Sequence, residues 1–287
     1  MAERTGIMRP VLFEKHLLDR FPKPFIVQPK LEGDRLRAVW NGETILLLSS
    51  SAAFRGSVPH IEKELEYLLP RGVKLELDGE LFVKGMDHSM IRSIVGRTKN
   101  LHPNYDMMEY HVYDMVSSED QMSRIQNLIE LMGTRAFDRV KLVPSYRCES
   151  LDDFQRYYEK FLADGYEGII ARHPDRPYLR KQTPTMLKLK PRVSMEAKII
   201  GFEEEVSILG KPKGTLGALI LEKEDGTVFR VGTGPTHYQR DLFWRNQDIL
   251  LGQRAKIRFQ AFTQSREVPK MQSLDREWLE ETEGVLK

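Results

Sequence analysis

The sequence changes character after Pro191, and this change constrains the fold more than any other feature. Before Pro191, segments with strand-like alternation are mixed with segments of helical periodicity, such as residues 152–165. After it, short strand-like segments follow one another across glycine or Asp-Gly turns, and one helical segment at 237–251 interrupts them. We therefore expect an α+β protein with mixed sheets and helices over residues 1–192 and a small β-barrel over residues 193–287.

Composition limits the partners and the compartment. Of the 287 residues 30% are charged, but the formal net charge is only +2, so any basic surface must be local. Cys148 is the one cysteine, which excludes an internal disulfide and a multi-cysteine zinc site and fits a reducing compartment. The first ten residues lack the apolar core of a signal peptide, and no apolar segment approaches the ~18 residues that a membrane span needs. We expect a cytoplasmic protein without membrane contact.

Local patterns also predict individual elements. Residues 11–21 have the apolar spacing of a short helix. Residues 25–40 predict two strands with a turn at Glu32-Gly33, and residues 73–83 predict two strands with a turn at Asp78-Gly79.

Charged residues stand at the ends of several predicted strands. Lys30 opens the segment "KLEGDR", Glu80 follows Asp78 in "ELDGEL", and Glu167 precedes a glycine in "YEGIIAR". The segment "LKLK" contains Lys188 and Lys190, whose side chains share one face of a strand because side chains alternate with a period of two. A lysine, two carboxylates and two further lysines can therefore meet in one cleft.

In this order, together with "HVYDMV", the segments resemble the motifs of covalent nucleotidyltransferases, most closely ATP-dependent DNA ligases. The resemblance covers nearly the whole chain and implies a nucleotidyltransferase (adenylation) domain followed by an OB-fold domain. Two departures stand out. Glu32 replaces the aspartate of the family's first motif, and "SSSAAFRG" offers only Arg55 for the serine-arginine motif, at an altered spacing.

The resemblance implies roles for the matching residues. Lys30 would be the nucleophile that accepts AMP from ATP, and Lys188 and Lys190 would contact the α-phosphate. Gln28 would lie at the adenine edge, and Tyr113 would stack on the base. The other nucleotide-binding candidates are Arg35, Glu80 and Glu167. Of these, Arg35 and Glu80 would contact the ribose or the nicked strand.

The chemistry explains these residue types. A lysine is a nucleophile only when uncharged, and neighbouring cations lower the pKa of an ammonium group, so we expect Lys188, Lys190 and Arg35 near Lys30. Charge on the transferring phosphate requires cations and a metal ion. Mg²⁺ prefers oxygen ligands, which Glu80 and Glu167 would provide, and Mn²⁺ is a possible substitute.

Candidate contacts with nicked double-stranded DNA are arginines and lysines outside the nucleotide motifs. They are Arg55, Arg180, Lys211, Lys213 and Arg276, the last being the best match to a degraded final motif in "SLDREWLEE". The segment "GKPKGTLG" lacks the spacing of a phosphate-binding loop, so a turn is favoured there over a contact with the DNA backbone.

The sequence leaves other functions open. Fewer than thirty residues precede Lys30 and there is one cysteine, which favours ATP over NAD as the donor and a compact, monomeric ligase. The segment 259–274 resembles the closing strands of a ligase OB domain, which favours DNA over RNA as the substrate. The alternatives are an RNA ligase, a capping-type nucleotidyltransferase, and a nucleic-acid-binding protein without catalysis.

Overall fold

The computed structural model describes residues 6–97, 99–133, 137–191, 193–259, 261–262, 268–270 and 272–287. These residues divide into two compact units, one ending at Lys190 and the other beginning at Pro191. The sequence analysis placed the boundary between the two domains after residue 192. Arg192 itself lies outside the described residues. No helix in the described ranges is both long and apolar enough to cross a membrane.

The first unit contains two sheets, each of five strands within the described residues. One has the order β1-β10-β9-β2-β8 and the other β4-β3-β5-β6-β7. The strands are β1 (Arg9–Leu12), β2 (Phe25–Lys30), β3 (Asp34–Trp40), β4 (Ile45–Ser49), β5 (Leu75–Phe82), β6 (Glu109–Met115), β7 (Val140–Leu142), β8 (Tyr146–Cys148), β9 (Gly168–Arg172) and β10 (Gln182–Leu189).

Helices of the first unit cover the apolar faces of these sheets. They are α1 (Lys15–Leu18), α2 (Pro59–Leu68), α3 (His88–Val95), α4 (Gln121–Gly133) and α5 (Leu151–Ala163), with a 3₁₀ turn at Tyr105–Met107. The ends of α5 follow its sequence: Ser150 accepts a hydrogen bond from the backbone of Asp153 at the start, and Gly165 adopts a positive φ just after the end.

Three local expectations were wrong, each because a distant segment decides the conformation. Within the predicted helix at 11–21 only the short α1 is helical, and the first two residues belong to β1, which pairs in parallel with β10. β2 and β3 are not a hairpin, since each belongs to a different sheet.

The third wrong expectation was the turn at Asp78-Gly79, through which β5 runs without a break. Asp78 is fully buried. A Cβ on Gly79 would overlap the carbonyl oxygen of His111 and lie 2.6 Å from the ring of Tyr110, so this glycine serves the close approach of β6. A Cβ on Gly33 would overlap the carbonyl oxygen of Leu81 and lie 2.7 Å from Cγ of Glu80, so that glycine lets β5 approach.

The second unit is an antiparallel sheet with the order β13-β12-β11-β14-β17, beside the pair β15-β16. Its strands are β11 (Val193–Val206), β12 (Pro212–Glu222), β13 (Val228–Val231), β14 (Arg254–Phe259), β15 (Ala261–Phe262), β16 (Pro269–Lys270) and β17 (Ser273–Leu274). The helices are α6 (His237–Arg245), α7 (Gln247–Leu250) and α8 (Arg276–Leu286).

Among the described residues no ladder closes this sheet into a barrel. Between the described residues of the two edges, one backbone hydrogen bond runs from Leu274 to the carbonyl of Thr233, at 2.9 Å. The predicted closing segment includes residues 260, 263–267 and 271, which lie outside the described part of the chain.

Two helical details of the second unit differ from expectation. The helix predicted at 237–251 is interrupted at Asn246, and α8 was missed. A signal for α8 was available, because Asp275 is a typical N-cap residue and accepts hydrogen bonds from the backbone of Glu277 and Trp278.

Candidate functional site

Lys30, Glu167 and Lys190 converge in the first unit. The Nζ of Lys30 donates to Oε2 of Glu167, and the Nζ of Lys190 lies 3.2 Å from Oε1 of the same carboxylate. All three side chains are between 15 and 20% exposed, so the cluster is shielded but open to a ligand. One carboxylate thus holds two ammonium groups, one at the end of β2 and one just after the end of β10, the two strands that flank β9.

The strand register explains this convergence. Lys30 pairs with Gly168 across β2 and β9, and β10 runs along the other side of β9. A Cβ on Gly168 would overlap the carbonyl oxygen of Leu189 and lie 3.0 Å from Cα of Lys190. Glycine is therefore required here so that the end of β10 can approach β9 and bring Lys190 to Glu167.

The direct partner of Lys30 is the carboxylate of Glu167, and of the three cations expected near Lys30, Lys190 lies on that same carboxylate. Burial raises the pKa of Glu167, but Lys30 and Lys190 outweigh burial and hold that pKa below its ordinary value. Glu167 therefore stays ionised at neutral pH and orients both ammonium groups. Lys188 lies in β10, opposite Ile170 of β9 in the backbone pairing of these strands, two residues before Lys190.

Arg35 points to Asp78 and not to the lysines. Its Nε donates to Oδ1 of Asp78 at 2.9 Å, and one Nη donates to Oδ2. The hydroxyl of Tyr178 donates to Oδ2 of the same carboxylate at 2.6 Å and accepts a hydrogen bond from the backbone of Met8 at 2.9 Å. Burial lowers the pKa of Arg35, but Asp78 outweighs burial and raises it above the ordinary value.

Glu80 is the acidic residue with the most perturbed environment. Within the described residues no hydrogen bond or ion pair reaches its carboxylate. Burial raises the pKa of Glu80 to about 8, against the opposing effect of Lys30 and Arg35. A half-buried carboxylate beside two cations and without a hydrogen-bonding partner is chemically suited to a ligand cation.

Metal binding depends on how many ligands the protein offers. The described residues contain no group of three or more His, Cys, Asp or Glu side chains placed to hold a metal ion. Mg²⁺ usually takes one or two carboxylates and completes its shell with water and substrate phosphates. Glu80 and Glu167 both interact electrostatically with Lys30, so these two carboxylates could serve as ligands for a metal ion that arrives with a nucleotide.

Tyr113 packs against arginines at the site. The guanidinium carbons of Arg35 and Arg172 lie 5.6 and 5.5 Å from the centre of its ring. Its hydroxyl is 3.4 Å from Oδ1 of Asp78, and burial raises its pKa. The predicted stacking of Tyr113 on adenine stays a prediction.

Gln28 belongs to a buried network. It is 2% exposed, its Nε2 donates to the carbonyl of Tyr113 at 3.0 Å and to Ser145 at 2.9 Å, and its Oε1 accepts from Arg172 at 2.7 Å. These bonds connect β2 to β6, in the other sheet. The predicted contact of Gln28 with the adenine edge is not tested by this geometry.

The sequence analysis missed the centre of this network, Asp114. Its carboxylate accepts from Nε of Arg124 at 2.8 Å and from Nη1 of Arg172 at 2.7 Å, and all three side chains are at most 2% exposed. The available signal was the position of Asp114 directly after Tyr113 in the segment "HVYDMV". That segment gave no indication that buried arginines would be the partners of Asp114.

The arginines predicted to bind DNA from the first unit have internal partners. Arg55 donates to Asp34 at 2.9 Å and to the carbonyl of Val95 at 3.3 Å. Arg180 donates to both carboxylate oxygens of Glu76, at 3.1 and 2.6 Å. Arg180 is 43% exposed, so an incoming phosphate can reach it.

The remaining candidates belong to the second unit. Lys211 lies in the turn between β11 and β12 and is exposed, and Lys213 pairs with Glu205 at 2.6 Å. Arg276 begins α8 and pairs with Glu280 at 2.8 Å. Their roles on DNA stay predictions.

Comparison with known families decides what kind of protein carries this cluster. Residues 11–190 match the model described as "ATP dependent DNA ligase domain", and residues 209–276 match "DNA ligase OB-like domain". The chain belongs to the ATP-dependent DNA ligase family. The predicted family and fold class are thereby confirmed.

Individual relatives agree with this assignment. A DNA ligase of African swine fever virus (isolate Pig/Kenya/KEN-50/1950) is 28% identical over 249 residues, which are 80% of this chain and 57% of that protein. This member of the family thus spans little more than half of that viral relative's length.

Solved structures share the fold at low sequence identity. A structure titled "Pmar-Lig_PreS3" superposes with a TM-score of 0.82 at 20% identity, over 94% of this chain and 67% of that one. A structure titled "DNA binding with a minimal scaffold: Structure-function analysis of Lig E DNA ligases" superposes with a TM-score of 0.77 at 21% identity, over 94% of this chain and 98% of that one.

Proposed function

We propose that this chain is an ATP-dependent DNA ligase that joins the 3′-hydroxyl and 5′-phosphate at a nick in double-stranded DNA, with Lys30 as the nucleophile. The observation that carries the proposal is the convergence of Lys30, Glu167 and Lys190 in a segment that matches the ligase catalytic domain. Both matched domains are DNA ligase domains, which favours DNA over RNA and over a cap structure as the acceptor.

In the first step the amine of Lys30 attacks the α-phosphorus of ATP. The ammonium group of Lys30 first gives a proton to solvent, the neutral amine then forms the phosphorus–nitrogen bond, and the bond to pyrophosphate breaks so that pyrophosphate leaves. Glu167 orients the amine before the attack because it already accepts its hydrogen bond. Lys190, on the same carboxylate, is placed to stabilise negative charge on the phosphate oxygens.

In the second step AMP passes from Lys30 to the 5′-phosphate of the nick, and in the third the 3′-hydroxyl attacks this DNA-adenylate and releases AMP. Mg²⁺, or Mn²⁺ in its place, would be held by Glu80 and Glu167 and would stabilise charge on the phosphates. Tyr113 and Gln28 would bind adenine, Arg35 the ribose or the nicked strand, and Lys188 the α-phosphate. The candidate contacts with the DNA backbone are Arg55, Arg180, Lys211, Lys213 and Arg276.

The decisive experiment is mass spectrometry of the purified protein after incubation with ATP and Mg²⁺. We expect one AMP attached at Lys30, its removal on addition of nicked DNA, and sealed product. Lys30→Ala should abolish the adduct, and Lys30→Arg is the matched control that keeps the charge but not the nucleophilic amine. Nick sealing by Lys30→Ala at the wild-type rate would refute the proposal, and an adduct with GTP alone would indicate a capping-type enzyme.

The proposal includes action as a monomer in the cytoplasm. The cluster of Lys30, Glu167 and Lys190 lies within the first unit, so one chain supplies all three side chains. Size-exclusion chromatography with light scattering, with and without nicked DNA, should give the mass of one chain per DNA. A dimer that forms only with DNA would contradict this part of the proposal.

A further inference from the structure

The hydroxyl of Tyr178 connects the two sheets of the first unit beside the candidate site. Tyr178 lies in the connection between β9 and β10, which belong to one sheet, and its hydroxyl donates to Oδ2 of Asp78 at 2.6 Å. Asp78 lies in β5, which belongs to the other sheet. The ring of Tyr178 is 7% exposed and packs with Met8, Ile170 and Met186, so the hydroxyl is held in one position.

Burial fixes the direction of this hydrogen bond. Burial, together with the nearby charge of Asp78, raises the pKa of Tyr178 above its ordinary value, so the hydroxyl keeps its proton at neutral pH. The proton points to Asp78, because the backbone N–H of Met8 donates to the hydroxyl oxygen at 2.9 Å. Replacing Tyr178 with phenylalanine therefore removes one hydrogen bond from Asp78 and leaves the ring in place.

Asp78 in turn holds two side chains of the candidate site. Its carboxylate is fully buried and accepts from Nε and one Nη of Arg35, and the hydroxyl of Tyr113 lies 3.4 Å from its Oδ1. A pair of parallel hydrogen bonds fixes the plane of a guanidinium group, so the position of Asp78 decides the position of Arg35. Tyr178 anchors this carboxylate from the opposite sheet.

We propose that Tyr178 is a positioning residue for the nucleotide: its hydroxyl fixes Asp78, and through Asp78 it fixes the guanidinium of Arg35 against the ribose of ATP. This rests on the proposed function and assigns Arg35 to the ribose in the first step. Tyr178 acts through Arg35 and has no contact with ATP of its own. The segment that leads into β10, and so to Lys188 and Lys190, thereby also sets the contact with the sugar.

Loss of the hydroxyl should weaken the use of ATP without slowing the chemistry. A contact with the ribose is made before and during the attack on the α-phosphorus, so its loss raises KM and leaves the rate at saturating ATP unchanged. Loss of a hydrogen bond to a charged group lowers an equilibrium constant about tenfold. For Tyr178→Phe we expect a rise of about tenfold in the KM for ATP, and a rate at saturating ATP within about twofold of the wild type.

The experiment measures the rate of AMP attachment at Lys30 over a range of ATP concentrations. Tyr110→Phe is the matched control, because Tyr110 is also buried and its hydroxyl donates to the backbone carbonyl of Leu36 at 3.2 Å. Thermal unfolding and the final amount of attached AMP show how much of each variant is folded and active. If Tyr178→Phe unfolds below the assay temperature, Tyr178→Met, which also lacks the hydroxyl, takes its place.

A double-mutant cycle with Arg35→Met tests whether Tyr178 acts through Arg35. Residues that act through one another have non-additive effects, so Tyr178→Phe should change the KM of the Arg35→Met variant by less than about twofold. A full tenfold rise on top of the effect of Arg35→Met would overturn the proposed route through Arg35.

The outcomes separate this role from the proposed function. A rise in KM for Tyr178→Phe but not for Tyr110→Phe, absent in the Arg35→Met background, supports the positioning role. An unchanged KM, an equal rise in both tyrosine variants, or a slower rate at saturating ATP with unchanged KM overturns the positioning role, while AMP attachment to the wild type leaves the ligase proposal intact. A wild-type protein that gains no AMP from ATP overturns both.

Discussion

Removal of the Asp114 carboxylate should destabilise the first unit strongly. Asp114 is fully buried between Arg124 and Arg172, and these two guanidinium groups have at most 2% exposure. Asp114→Ala leaves two buried cations without their shared anion. Breaking a buried ion pair by removing one partner costs ~3–5 kcal/mol, because the remaining charge is neither paired nor hydrated.

We expect a loss of about 4 kcal/mol in the free energy of unfolding, since backbone carbonyls of Glu119 and Arg176 still accept from Arg124 at 2.8 and 2.9 Å. For a unit of this size that corresponds to a fall of about 10 °C in Tm. Asp114→Asn should cost less, because an amide oxygen can still accept hydrogen bonds from both arginines.

The assay is urea unfolding followed by the fluorescence of Trp40, which is buried in the first unit. Trp244→Phe and Trp278→Phe remove the signals of the second unit. The control is Asp138→Ala, because Asp138 is 91% exposed and its ion pair with Arg139 at 3.6 Å should contribute less than ~0.5 kcal/mol. If Asp114→Ala unfolds at the same urea concentration as Asp138→Ala, the reasoning about buried charge is refuted.

Two further predictions concern the site. Because the folded-state pKa of Glu80 is about 8 and its ordinary value is 4.5, its stabilising contribution is complete below pH ~4.5 and is lost as pH rises through 8. Wild-type protein should therefore lose on the order of 3 kcal/mol relative to Glu80→Gln between pH 5 and pH 8, and parallel stability curves would contradict this. Gly168→Ala should cost about 1–3 kcal/mol and lower AMP attachment to Lys30, because a Cβ there displaces Leu189. Gly133→Ala, with open space around its Cβ, is the control, and equal Tm values for the two variants would be evidence against the close approach of β9 and β10.

Much of the fold could be predicted from local patterns. The helix α5 was predicted from the apolar spacing of residues 152–165, and Gly165 follows its end in the structure. The ordered motifs indicated the family by themselves. These successes depend on signals that lie within a few residues of one another, such as a cap or an alternation of apolar side chains.

The same sequence did not predict which residues would be partners. It suggested cations around Lys30, of which Lys190 is present, but it did not indicate that Glu167, 137 positions away, would be the direct partner of Lys30. It suggested a turn at Asp78-Gly79, and β5 continues there because β6 passes close to the glycine.

The sequence by itself determined the two-part organisation, most of the local elements and the set of charged groups available for phosphate chemistry. Tertiary structure alone decided that β1 is a strand, that Glu167 holds both Lys30 and Lys190, and that Asp114 is enclosed by two arginines. The physical reason is the distance along the chain over which each kind of interaction acts. Backbone preference is set by neighbouring residues, whereas strand pairing and the burial of charge depend on which distant segments the fold brings into contact.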